Sequence, residues 1–187
     1  MNISRFWEII ETAREKAQGD LDAQFVQMTA VLEQLDAEEI LAWQQMFNEY
    51  QRLSYKNKLW AAAYVINGGC SDDGFDYFRG WLTAQGRNVF LAALRDPDFL
   101  ADLIEVEEGE AEFEDMLGTA SSAYLKKLNL GRDYARFYED LKSHSLSDAD
   151  KAAMLAEIRY QADIDGDWHD DNELKKQLPR LCEKYDW

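Results

Sequence analysis

The chain has 187 residues, 47% of them hydrophobic and six of them Trp, so folding can remove roughly 70% of the unfolded surface and build a core without a disulfide framework or a metal. That excludes an acidic disordered tail. Thirty-seven Asp and Glu against twenty Lys and Arg give a formal charge of −17, which argues against nucleic-acid backbones and anionic membrane surfaces as ligands and favours a basic protein or a cation, besides serving solubility.

The opening MNISRFWEIIETAREK carries acidic residues early and lacks the apolar run of a secretory signal, and no stretch approaches the roughly 20 apolar residues that span a bilayer. Cys70 and Cys182 have no zinc-site spacing and are too few for a disulfide scaffold. Reduced thiols in a cytoplasmic protein are the expected reading.

Helical periodicity begins at once, with Phe6, Ile9, Ile10, Ala13 and Ala17 on one face, and Gly19-Asp20 stops that helix and caps the next. Phe25, Met28, Val31, Leu32 and Leu35 mark the second helix. Asp36 with Glu39 three residues on reads as a capping box ahead of Ile40, Trp43, Phe47 and Tyr50. Leu59, Ala62, Ala63 and Ile66 continue until Gly68-Gly69, where a left-handed C-terminal cap is the expected use of glycine. Ser71 then caps a helix carrying Phe75, Phe78, Trp81 and Leu82, with Gly86 near its end. Val89, Phe90, Ala93 and Leu94 form a short helix stopped at Asp96-Pro97, because the residue before proline is pushed out of helical geometry.

Asp98 to Ile104 reads as another turn or two, and the acidic block from Glu105 to Asp115 as a solvated face. Phe113, Met116, Leu117, Ala120 and Tyr124 restore the helical period, and Gly131 precedes Tyr134, Phe137, Tyr138 and Leu141. Ser147 with Asp150 opens a helix carrying Leu155, Ile158 and Ala162, and a last helix carries Leu174, Leu178, Leu181 and Tyr185. No segment alternates apolar and polar residues between hairpin turns, and no linker or repeat interrupts the chain. The expected fold is all-α: a single compact domain over residues 1–187, built of about ten short helices with little or no sheet.

Leu59 to Arg87 stands apart. Glycines, a thiol, a hydroxyl and adjacent carboxylates lie between two apolar helices, giving Cys70, Ser71, Asp72, Asp73, Asp76, Tyr77, Arg79, Trp81 and Arg87 as candidate site residues. A helix start favours carboxylates, so Ser71, Asp72 and Asp73 also suit plain capping, and Arg79 is spaced to pair with Asp76. Functionally, three carboxylates beside a hydroxyl can hold a divalent cation such as magnesium or position a water. Tyr77, Trp81 and Arg87 would line such a pocket. Cys70 next to a helix N-terminus would have its pKa lowered, although a buried inert thiol is the commoner fate.

Phe6-Trp7, the helix Leu59-Trp60-Ala61-Ala62-Ala63-Tyr64, Gly-Gly-Cys-Ser-Asp-Asp-Gly-Phe at 68–75, and the continuation through Leu82 and Gln85-Gly86-Arg87 resemble the bacterial family known as domain of unknown function 4240. The C-terminal half matches only loosely. The resemblance implies a bacterial protein of uncharacterised role and carries no catalytic assignment.

Asp163, Asp165, Asp167, His169, Asp170 and Asp171 superficially suggest a calcium loop, but Trp168 and Leu174 stand where a calcium hand needs glycine and glutamate. A polar turn leading into the last helix is the expected reading there, with a weak divalent site at Asp163, Asp165, Asp167 and His169 as the alternative. His144 and His169 complete neither a di-iron nor a zinc-protease spacing, and no phosphate loop, dinucleotide fingerprint or serine elbow is present. The function expected is a binding or regulatory module for a basic protein or small ligand. The alternative is a small metal-assisted hydrolase or transferase using Asp72 and Asp73.

Overall fold

The computed structural model describes residues 1–159, 163, 168 and 170–187. Among them it is all-α, with twelve α-helices, one 3₁₀ turn and no strand. The helices are α1 Ile3–Ala17, α2 Leu21–Glu33, α3 Ala37–Leu53, α4 Asn57–Ile66, α5 Asp72–Ala84, α6 Arg87–Arg95, α7 Leu100–Leu103, α8 Asp115–Lys127, α9 Tyr134–Ser143, α10 Asp148–Glu157, α11 Asp171–Gln177 and α12 Pro179–Lys184, with the 3₁₀ turn Pro97–Phe99 before α7. None of these helices is long and apolar enough to cross a membrane.

The caps anticipated from spacing are present. The Asp20 carboxylate accepts from Ala23 N–H at 2.9 Å, Ser71 Oγ from Gly74 N–H at 3.1 Å, and Ser147 Oγ from Asp150 N–H at 3.1 Å. Glu39 accepts from the Asp36 N–H at 3.3 Å, the return half of the capping box.

Three expectations need correction. The final helix is two, because Pro179 forces Leu178 out of helical geometry and α12 restarts there. Helix α10 ends at Glu157, so Ile158 is its C-cap, Ala162 lies outside the described residues, and Leu155 is 58% exposed while its neighbour Met154 is buried. Tyr134 and Tyr138, placed by period with Phe137 and Leu141, stay largely in solvent because α9 leans on α3 and α8 by a stripe one residue wide. With the single-turn α7, the split raises the count from about ten helices to twelve.

One contiguous core joins the elements. α8 lies against α2, α3 and α5, α1 against α2, and α4 against α5 and α12. Phe6 and Trp7 of α1 sit in an aromatic cluster with Trp43, Tyr50 and Phe90. Trp7 Nε1 donates to the Tyr50 hydroxyl at 3.0 Å, and that hydroxyl donates to Glu157, which also accepts from Arg87. A buried polar chain thus fastens α10 to the core through Tyr50.

Two substitutions test this packing. Tyr50→Phe leaves Trp7 Nε1 and the Glu157 carboxylate short of a partner and should cost about 1–3 kcal/mol in urea unfolding. Gly80→Ala should also destabilise, by about 1–2 kcal/mol, although alanine is the better helix former by roughly 1 kcal/mol. Its Cβ would stand 2.8 Å from the Phe113 carbonyl oxygen, a backbone atom that cannot step aside while α5 and α8 remain in contact. A Tm equal to or above the parent's would contradict that contact.

Candidate functional site

Helix α4 is buried on almost every side, so its exposed backbone groups are confined to its ends. At the C-terminal end Gly68 and Gly69 take φ of 66° and 139°, and Gly69 N–H returns to the Tyr64 carbonyl at 2.9 Å, the six-to-one bond of a Schellman cap. The remaining carbonyls find distant partners. Trp187 Nε1 donates to Val65 O at 2.9 Å, Gly109 N–H to Ile66 O at 3.3 Å, and the Asn67 side chain exchanges two hydrogen bonds with the backbone of Ala111. The glycine-rich junction is therefore stitched to the 105–115 loop and to the chain's last residue.

From this junction α5 departs with Ser71, Asp72 and Asp73 in solvent, as expected of a helix start. The nine candidates, however, do not converge. Asp72 and Asp73 are successive residues and project about 100° apart on the helix, while Asp76 gives its carboxylate to Arg79. Among the described residues no three His, Cys, Asp or Glu side chains are grouped to hold a metal ion, so Asp72, Asp73 and Asp76 do not make a three-carboxylate magnesium site.

Arg79 is only 4% exposed and has a structural job. Its Nε donates to Phe75 O at 3.3 Å, Nη1 to Gln51 O and Nη2 to Asp76, while the rings of Tyr55 and Phe75, themselves in edge contact, pack against it with centroids 4.8 and 4.7 Å from Cζ. Burial pushes the guanidinium's pKa down and the Asp76 carboxylate pulls it back up.

Tyr77 lies on the flank facing the acidic loop, where the Glu114 carboxylate pushes its phenol up and its carbonyl accepts from Phe113 N–H at 3.0 Å. Trp81 is buried at the far end of α5. Arg87 belongs to the Tyr50–Glu157 chain, and the hydrogen bond to Glu157 holds its pKa above the ordinary value.

The lowered pKa considered for Cys70 is corrected. Burial first, then the nearby Glu112 carboxylate, push the thiol up to about 12. Glu112 Oε1 lies over Gly74, 3.2 Å from where a Cβ would stand, which brings the acidic loop to the start of α5 beside this sulfur. Asp163 is also reassigned. Its two oxygens accept from Lys58 and Asn57 N–H at 2.9 and 3.2 Å, capping α4 from more than a hundred residues away. Asp165, Asp167 and His169, the other members of the weak divalent alternative, lie outside the described residues.

The largest concavity described lies elsewhere, a cleft of about 790 Å³ between the α1–α2 turn, the end of α5, and residues 103–110. Its charged lining is five carboxylates, from Glu15, Asp20, Asp22, Glu105 and Glu110, against one guanidinium, Arg14, and Gln18, Gln24 and Gln85 add neutral amides. Arg14 is itself occupied by the Gln85 carbonyl. Apolar atoms come from Leu21, Trp81, Val89, Leu103, Ile104 and Val106. Lys184 braces one wall, donating to Ala101 O at 2.9 Å and Ile104 O at 2.6 Å.

Of the nine candidates only Trp81 reaches this cleft. Sequence reasoning took Asp20 as a cap and Glu105 to Asp115 as a solvated face, and both descriptions hold. The signal that was there, two acidic stretches at 15–22 and 105–110, becomes a site only when the fold apposes them.

A thiol held near 12 should be almost inert. At pH 8, reaction of native Cys70 with a disulfide reagent is expected to run about three orders of magnitude slower than that of a free peptide thiol, and to recover on unfolding. Fast native labelling traced by mass spectrometry to Cys70 would contradict that environment.

No curated protein and no solved structure matches this chain. Residues 1–126, which include α1 to α7, the glycine-rich junction and nearly all of α8, match the family described as protein of unknown function (DUF4240). With two-thirds of its length matched, the chain belongs to that family.

Proposed function

We propose that the protein is a non-catalytic binding module that receives a cationic side chain of a basic protein partner in the cleft between α1, α2 and the 103–110 segment. The observation that carries this reading is the lining itself. The concavity is lined by five acidic residues against one guanidinium, so its local charge is net negative within a chain whose formal charge is −17.

The volume, about 790 Å³, lies in the roughly 300–1,000 Å³ range of sites that enclose a small ligand. The lining suits an amphipathic cation. Leu21, Val89 and the 45% exposed Leu103 offer apolar surface to a methylene stem, and the carboxylates at the rim take the charged head. By contrast, Asp72 and Asp73 line none of the clefts described and have no shared geometry, which leaves the hydrolase or transferase alternative without a supporting observation.

Titration with a synthetic peptide of alternating lysine and leucine, followed by calorimetry and by methyl shifts of Leu21, Val89 and Leu103, tests the reading. Binding should weaken at least about tenfold between 0.1 and 0.5 M salt, as the Debye length falls from about 10 Å to roughly 4 Å. Replacing Glu105 and Glu110 together by Gln should cost a further factor of about ten without lowering Tm, since both carboxylates are exposed. Affinity indifferent to salt and to the double substitution would overturn the proposal.

A further inference from the structure

The five carboxylates of the acidic cleft are exposed, whereas two polar side chains that line the same cleft are almost wholly enclosed: Gln24 of α2 is 2% exposed and Trp81 of α5 is 4% exposed. The two meet at the last turn of α5. Gln24 Nε2 donates to Ala84 O at 2.9 Å, and positions three apart on a helix, such as 81 and 84, are neighbours with Cβ atoms about 5–6 Å apart.

Each of these side chains has one polar group left over. Gln24 Oε1 and Trp81 Nε1 make no hydrogen bond with any described residue, and neither is among the sealed polar atoms that lack a partner. Trp43 Nε1 and Gln44 Oε1, by contrast, are sealed in the interior, and the indoles of Trp7, Trp60 and Trp187 all donate within the protein. The Gln24 oxygen and the Trp81 N–H therefore keep an opening to solvent, and the cleft that both residues line is where that opening lies. Water meets both groups there, and a ligand that displaces it without replacing both hydrogen bonds loses affinity.

An acceptor and a donor at the bottom of a negatively charged cleft select among cations. A bare alkylammonium donates to Gln24 and leaves the indole N–H uncovered, while a carboxylate that accepts from the indole is repelled by the acidic rim. A peptide chain supplies both partners, because an extended residue turns its N–H and its C=O to the same side, as in the paired residues of antiparallel strands. We infer, on the reading that the acidic cleft is the binding site, that the basic partner enters it as an extended segment of chain. The main chain of one residue donates to Gln24 Oε1 and accepts from Trp81 Nε1, and a neighbouring lysine or arginine side chain reaches the carboxylates of the rim. Main-chain bonds then give affinity, and the carboxylates give the preference for basic sequence.

Two blocked tripeptides of leucine, lysine and leucine test this mode, one with ordinary peptide bonds and one N-methylated at every residue, so that charge and side chains are equal. Each is titrated into the full chain by calorimetry while the Trp81 indole N–H is followed by NMR. The ordinary peptide should bind at least about tenfold more tightly and move the indole proton, which the N-methylated peptide should leave in place. Trp81→Phe, which keeps a ring and removes the donor, and Gln24→Met, which removes the acceptor, should each bring the two affinities closer together. Equal, salt-sensitive binding of both peptides to the parent overturns the main-chain mode and leaves the cleft's preference for cations standing. An indole proton unmoved at saturation with the ordinary peptide also overturns that mode, and failure of both peptides to bind overturns the mode and the cationic cleft together.

Discussion

The fold turns on how α4 is terminated. A helix buried on nearly all sides cannot hand its end groups to water, so its last carbonyls and first N–H groups must find protein donors and acceptors. At the C-terminal end the Gly68-Gly69 reversal closes one bond locally, Trp187 and Gly109 donate to the Val65 and Ile66 carbonyls, and the Asn67 side chain ties the end to the Ala111 backbone. At the other end the carboxylate of Asp163 caps Asn57 and Lys58. Both ends of one helix therefore draw the last quarter of the chain and the acidic 105–115 loop onto the same core.

That constraint fixes α5, and α5 partitions the protein's polar chemistry. Its first turn faces water, its middle buries Arg79 against the rings of Tyr55 and Phe75, and its last turn presents Trp81 to the acidic cleft. Gly80 lets the Phe113 carbonyl approach within 2.8 Å of a Cβ position, so the same helix is locked against α8 and the loop before it. Along α5 the buried Arg79 is held by one carboxylate and by backbone carbonyls, whereas the cleft at its far end is lined mainly by carboxylates and apolar side chains.

Remote caps recur elsewhere. Asp98, itself buried, accepts from Arg180 and Leu181 N–H at 3.1 and 3.0 Å and so starts α12, as Asp163 starts α4. In both cases a carboxylate meets the partial positive charge of a helix N-terminus far from it in sequence. Local capping rules find Asp20, Ser71 and Ser147 because their partners are three residues away. They cannot find Asp98 or Asp163, since nothing local distinguishes these aspartates from solvated ones.

The sequence by itself determined the class and most of the elements. Apolar residues at helical intervals, glycines where φ turns positive and proline where a helix cannot continue are local properties, and they set the existence and order of helices α1 to α6 and the Gly68-Gly69 reversal. The pairing of Asp76 with Arg79 was legible for the same reason, being three residues apart on one helix. The tertiary structure alone decided which charges share a cavity. The nine residues picked out by motif scatter over the length of α5 and beyond, whereas Glu15, Asp22, Glu105 and Glu110, unremarkable in their own stretches, meet across some ninety residues of chain. Tertiary structure also set the Cys70 thiol, because what raises it is first its burial and then the carboxylate of Glu112, placed near it by the loop that caps α4. Electrostatic surroundings are a sum over space, and spacing along a chain reports that sum only within a helical turn or two.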